Sequence, residues 1–298
     1  MKCPFFMETN VLQCRASAFR KMIVHAPGQD GFGRCSSPGF AQCELYGEQP
    51  HEDDAVHGSC PFVAESVVQY CSASPVTKFI PYSEASLSRC GTEGFKYCGL
   101  YLGMASPGMP DLDPEAEPEA PPNLFYSPNH MWIDRTEEGN CHVGVDALLA
   151  KALGTAERIS FMSTQGVERP AAVLTVNGVD WQMMFPNRIH ITAPNYYLRA
   201  DPAKVAADPY GTGWLFEGTD APGSLHGLIT GKAAAEWMHE ESARLTRAVH
   251  EWISMPNADG PQMVADGGNF APGFAKCMER ESLLKLFHNF FSPFANWR

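Results

Sequence analysis

Asn195-Tyr-Tyr-Leu-Arg-Ala-Asp-Pro202, a short connection, and then Asp208-Pro-Tyr-Gly-Thr-Gly-Trp214 form the stretch whose reading decides the fold. Asp208-Pro209 starts a turn, because proline presets its own φ and the aspartate side chain bonds to nearby backbone N–H groups. Gly211 and Gly213 add backbone freedom. Trp214-Leu215-Phe216 is then a bulky apolar run that reads as a strand entering a core. The whole stretch reads as loop, tight turn, strand.

Working outward, residues 172–176 and 181–185 flank Asn177-Gly178, the strongest short-range signal for a two-residue hairpin turn. Ile159 opens another strand. On the C-terminal side, residues 232–253 read as one helix, with Trp237, Met238, Leu245, Val249, Trp252 and Ile253 along one stripe. Pro256 and the glycine-rich run after it end that helix.

Tyr126, His130 and Trp132 open this region, and Val143-Gly144-Val145-Asp146 precedes residues 147–154. Together with Asn195–Trp214, and with Pro186 after the hairpin, these residues resemble the glycine cleavage system H protein family, a lipoyl-carrier barrel. The resemblance covers residues 124–240. It implies a barrel-sandwich hybrid β domain closed by a helical region, with a surface that meets partner proteins. In that family the hairpin tip carries a lysine, and the lipoyl arm attached to it swings between the enzymes of the system. Counted back from Pro186, the lysine position falls on Gly178, and no lysine lies between Lys151 and Lys204. Acylation needs an amine at the tip. The resemblance therefore implies the fold without lipoate. Cys141 and His130 read as packed core residues, and Cys141 with His142 is a poor catalytic pair, since strand neighbours point to opposite faces.

The first hundred residues carry an internal repeat. Cys3, Cys14, Cys35 and Cys43 recur as Cys60, Cys71, Cys90 and Cys98. Cys3-Pro4-Phe5 matches Cys60-Pro61-Phe62, Glu8 matches Glu65, Val11 matches Val68, and Lys21 matches Lys78. Arg34-Cys35 matches Arg89-Cys90, Phe40 matches Phe95, and Tyr46 matches Tyr101. Each module, residues 1–47 and 58–103, is too small for a good apolar core and calls for a metal, disulfides or a partner. Four cysteines suit a cubane iron–sulfur cluster or tetrahedral zinc. Neither module has the Cys-x-x-Cys knuckle usual in zinc fingers, so two [4Fe-4S] clusters lead, with two zinc ions as the alternative and disulfides or unligated core thiols left open. Lys21, Lys78, Arg34 and Arg89 either offset the negative charge of a cluster or sit on the solvated surface. Residues 5–12 and 62–70 read as short helices; residues 23–27 and 80–82 read as extended, because proline disfavours helix before it. His51 and His57 lie in an acidic run that reads as a solvated linker.

With 298 residues, 44% of them hydrophobic, the chain suggests roughly two domains with a sizeable core. The net charge of −12 argues against nucleic-acid binding. No apolar run is long enough to span a membrane. The N-terminus lacks a signal peptide's apolar core, which points to the cytoplasm, where thiols stay reduced. Residues 104–123, rich in proline and acidic residues, read as an extended linker. Residues 241–298 form a helical extension. In its tail, Leu283, Leu286, Phe287, Phe290, Phe291, Phe294 and Trp297 fall at helical spacing. That face packs on the chain's own domains, joins two copies, or docks a partner or membrane; with only Lys285 and Arg298 as lysine or arginine, it is poor for anionic lipid. Cys277 stands alone.

No nucleophile triad, metalloprotease helix, P-loop or dinucleotide fingerprint is present. The expectation is an α+β protein with no catalytic residues of its own. Two clusters for electron transfer or redox sensing sit beside a non-lipoylated domain that docks on a larger assembly. A zinc-stapled adaptor without a redox role is the alternative, and an accessory subunit of an enzyme complex is the third reading.

Overall fold

The computed structural model describes residues 2–17, 22–23, 33–50, 58–74, 76, 78–80, 89–105, 117–253 and 270–292. Lys21, His51, His57, linker residues 106–116, Pro256, and the tail residues Phe294, Trp297 and Arg298 lie outside them, as do the extended readings beyond Ile23 and Ile80. The chain divides into two compact units, Met1–Thr92 and Glu93–Arg298.

The first unit is built on a four-stranded sheet in the order β2-β1-β3-β4. The strands are β1 (Phe6–Cys14), β2 (Met22–Ile23), β3 (Val63–Cys71) and β4 (Lys78–Ile80). The helices expected over residues 5–12 and 62–70 are thus strands. β-Branched Thr9, Val11, Val67 and Val68 favour extended backbone. Each segment also finds its own copy as partner: β1 and β3 pair antiparallel along their whole length, from Phe6 opposite Cys71 to Cys14 opposite Val63. Both faces of the sheet stay partly exposed, so the strict polar–apolar alternation that marks a strand in sequence is missing. Cys35 and Cys90 lie in 3-10 turns, Gly33–Ser36 and Arg89–Gly91. Cys43 caps α1 (Glu44–Gly47).

The second unit begins with a 3-10 turn, Glu93–Tyr97, and α2 (Gly99–Ala105), which carry the end of the second repeat. Its strands are β5 (Phe125–Ser127), β6 (Met131–Arg135), β7 (Asn140–Val145), β8 (Arg158–Phe161), β9 (Gly166–Glu168), β10 (Ala171–Val176), β11 (Val179–Met184), β12 (Ile189–Pro194), β13 (Phe216–Thr219) and β14 (Ile229–Thr230). They form a seven-stranded sheet, β14-β5-β6-β7-β13-β12-β9, and a three-stranded one, β11-β10-β8. Helices α3 (Ala147–Leu153), α4 (Lys204–Ala207), α5 (Gly231–Ile253) and α6 (Arg280–Phe290) complete the unit. Trp132, Trp181, Tyr126, Phe185, Phe216 and Leu148 fill its core and are inaccessible to solvent.

The deciding stretch folds largely as its residues require. Asp208 Oδ2 accepts hydrogen bonds from the Thr212 backbone N–H at 2.6 Å and from its hydroxyl at 2.9 Å. A Cβ on Gly213 would stand 2.6 Å from the Lys204 carbonyl oxygen, so only glycine fits there. Asn195 Nδ2 donates to the carbonyls of Thr212 and Trp214, pinning the loop's two ends together. Trp132 Nε1 donates to Val145 O and Pro209 O, fastening the turn to the sheet. Trp214, Leu215 and Phe216 are buried as expected; the connecting loop additionally winds into Tyr196–Arg199 and α4.

The linker reading needs one correction. Its described end, residues 117–123, packs on the second unit: Tyr210 donates to Glu119 O at 2.8 Å, Tyr126 donates to Pro121 O at 3.0 Å, and Ala120 is buried.

Candidate functional site

The hairpin tip expected at Asn177-Gly178 lies between β10 and β11. Val176 pairs with Val179, leaving Asn177 and Gly178 as a two-residue turn with φ of 51° and 66°. Both values lie in the left-handed region, the signature of the Asn-Gly hairpin. A Cβ at Gly178 would meet nothing within 4 Å. Asn177 instead reaches into the extension, its Nδ2 donating to Met278 O at 3.2 Å.

That extension covers the hairpin. Leu283, Leu286 and Phe290 of α6 are buried, as is Phe291 just beyond it. Phe287 meets the Trp181 ring of β11 edge-on at 4.9 Å. The described part of the apolar stripe, from Leu283 to Phe291, therefore packs on its own domain. Cys277 is exposed.

Beneath α5 lies a buried charge cluster that sequence reasoning missed. His130, with φ of 61°, is sealed from solvent. Its Nδ1 is 2.8 Å from Asp146 Oδ2, and its Nε2 faces Glu241 Oε2 at 3.5 Å. Asp146 also caps α3, accepting from the Leu149 N–H at 2.9 Å. Burial alone would lower the His130 pKa; the two carboxylates overcome it and raise it to about 9. Burial would likewise raise Glu241, but His130 and Arg244 draw it down to about 2. Arg244 lies 3.8 Å over the Phe290 ring, so the cluster ties α5 to α6 as well. These partners are far apart in the chain, and no spacing announces them.

Cys141 and His142 are both buried on β7. Burial pushes the Cys141 thiol up to about 12, and His142 stacks on Tyr97 with ring centroids 3.9 Å apart. A thiol held protonated is not a nucleophile. The depression lined by Arg135, Asp220 and His226 is wide open and crossed by the Arg135–Asp220 ion pair.

In the first unit the cysteines gather across the repeats. The Cys60 N–H donates to Cys35 O at 2.8 Å. The Cys35 thiol is pushed up by burial and then by the thiols of Cys60, Cys14 and Cys43, while Arg34 pulls it the other way. At the opposite end of the strand pair, the Cys3 N–H donates to Cys90 O at 2.9 Å and Cys71 sits opposite Phe6. Cys98 belongs to the second unit. Among the described residues the cysteines form no disulfide, and no three His, Cys, Asp or Glu side chains are arranged to hold a metal ion. Nor, among those residues, is any helix long and apolar enough to cross a membrane.

Comparison with known proteins concerns the second unit. The family described as Glycine cleavage H-protein matches residues 124–241. The glycine cleavage system H protein of Mycolicibacterium vanbaalenii is 32% identical over 104 residues, 33% of this chain and 78% of that protein. The one from Mycobacterium sp. (strain KMS) is 30% identical over 125 residues, 37% of this chain and 90% of that protein. A crystal structure of a glycine cleavage system H protein from Mycobacterium marinum, 25% identical, covers 41% of this chain and 98% of its own, with a TM-score of 0.35.

Proposed function

Through residues 124–241 this chain belongs to the glycine cleavage H-protein family, and we propose that it is a member without the carrier arm. In this reading the barrel serves as a docking domain on a larger protein assembly. The duplicated cysteine repeats of residues 1–103 hold iron–sulfur clusters that transfer electrons or sense redox state there. The chain has no catalytic site of its own.

Two observations support the loss of the arm. The aligned position is Gly178, with no lysine between Lys151 and Lys204. The neighbouring Asn177 is bonded to Met278, and α6 lies against Trp181, so the hairpin is anchored where a carrier would present its arm. The relatives are proteins of the glycine cleavage system, and a barrel of their kind would meet protein partners.

The observation that carries the metal reading is the set Cys14, Cys35, Cys43 and Cys60, four thiols near one end of the β1–β3 pair. That is the ligand number of a cubane, which would supply one-electron chemistry when bound. Zinc needs four thiolates about 2.3 Å from one point. Among the described residues no three such side chains are arranged to hold a metal ion, and the preference for a cubane rests on the missing Cys-x-x-Cys knuckle. Loading and local ordering are coupled in such sites.

The deciding measurement is iron, zinc and acid-labile sulfide on protein purified without oxygen, with the intact mass of the same sample. Iron and sulfide near eight of each per chain, and no lipoyl adduct, are expected. Two zinc ions without sulfide would replace the redox role with a structural one. A lipoyl adduct on any lysine would overturn the docking-only reading of the barrel.

A further inference from the structure

Resting on that metal reading, we infer that the thiol sets of the first unit are assembled across the repeats: Cys60 of the second repeat completes a four-thiol set with Cys14, Cys35 and Cys43, and Cys3 of the first joins Cys71 and Cys90 in a second set. The sequence alone groups Cys3 with Cys14 and Cys60 with Cys71, because they are neighbours in each copy. The strands forbid that grouping. Residues Phe6–Cys14 are extended as β1, and a strand rises about 3.3 Å per residue, which puts Phe6 about 26 Å from Cys14. Cys3 lies beyond Phe6, so Cys3 and Cys14 stand at opposite ends of the strand. Val63–Cys71 separates Cys60 from Cys71 in the same way.

The pairing register then brings the exchanged partners together. Cys14 lies opposite Val63, and the next backbone N–H, Arg15, donates to Phe62 O at 2.8 Å. The Val63 N–H donates to Cys60 O, so Cys60 turns back at the Cys14 end. The other end repeats each contact: Cys71 opposite Phe6, the Ser72 N–H donating to Phe5 O at 2.9 Å, and the Phe6 N–H donating to Cys3 O. Finally Cys60 bonds through its backbone to Cys35, and Cys3 to Cys90. Tyr46, whose N–H donates to Cys43 O at 3.0 Å, meets Phe62 edge-on at 5.8 Å, which adds a side-chain contact between the copies at the Cys60 end. Two copies of one sequence pair about a local two-fold axis, so whatever one gives the other returns.

Paired variants of the full chain separate the two groupings. Cys14→Ser with Cys60→Ser strikes one crossed set, and about half of the wild-type metal and sulfide should remain. Cys3→Ser with Cys14→Ser strikes both, and nearly all should be lost. The reverse pattern would overturn the proposal. Thiol mapping reads the grouping without metal. On chelator-treated full-length protein, a short bis-alkylating crosslinker followed by peptide mass spectrometry should join Cys60 to Cys14, Cys35 or Cys43, and Cys3 to Cys71 or Cys90. Links from Cys3 to Cys14, Cys35 or Cys43 would refute it. If the wild-type protein carries neither iron nor zinc, the metal reading fails, and the crosslinks alone decide the grouping.

Discussion

At the scale of single residues, His130 is the most exacting position. It is sealed from solvent between Asp146 and Glu241, whose carboxylates favour its charged form. Its pKa is raised from an ordinary 6.5 to about 9. The stability it confers is therefore fully present below pH 6.5 and is lost as pH rises through about 9. Glu241 acts in the opposite sense: lowered from 4.5 to about 2, its contribution is present above pH 4.5 and disappears as pH falls through about 2. Melting curves should show a falling Tm between pH 6.5 and 9 in the wild type. His130→Gln should flatten that limb and cost about 3 kcal/mol near neutrality, because it leaves two carboxylates without their buried partner. A wild-type Tm that stays level through pH 9 would contradict a charged His130. The sequence marked this histidine as packed and structural, yet gave no sign of its charge, since Asp146 and Glu241 reach it only through the folded chain. The repeat of eight cysteines was legible, but which of them the pairing of β1 with β3 brings to the same end of the sheet was not.

At the scale of elements, the Asn177-Gly178 hairpin was readable from local chemistry, because its turn depends on two residues with positive φ and little else. Alanine at Asn177 must hold a left-handed backbone, at about 1–2 kcal/mol, and loses the bond to Met278. Asn177→Ala should therefore lower stability by about 2 kcal/mol in urea titration. Gly178→Ala, with open space around its Cβ, should cost only the backbone term. Equal losses would show that the Met278 bond contributes nothing. Helix α6 offers a second test. Leu283 is fully buried, and Leu283→Ala should cost about 2–4 kcal/mol, detected as a lower urea midpoint at unchanged slope. β1 and β3 were the elements misread, for a physical reason. Their partner lies in the other repeat and neither face is cleanly buried, so local periodicity carried no strand signal. Treating them as helices would also have shortened the path from Cys3 to Cys14, which made a set within one repeat look reasonable.

At the scale of the whole molecule, the chain combines a family domain with a cysteine-rich unit that its relatives' matched length does not include. The barrel was legible because Asp208–Trp214 and the hairpin form a long, unusual string whose turns dictate their neighbours. The border between the units was not, because the end of the second repeat, Tyr97 above all, packs into the second unit: it stacks on His142 and donates to Asp134 at 2.5 Å. Cys14→Ser and Cys71→Ser should each remove about half the bound metal from full-length protein, measured by elemental analysis; unchanged content in both would end the two-site reading.

The full-length pairing of β1 with β3 makes a lone repeat an unfinished object. By itself one copy would offer a bare strand edge, and would have to find a twin by diffusion. Carrying both copies in one polypeptide makes that encounter intramolecular, at an effective concentration on the order of millimolar. Assembly then no longer depends on how much protein is present, and no copy can be left waiting for its counterpart.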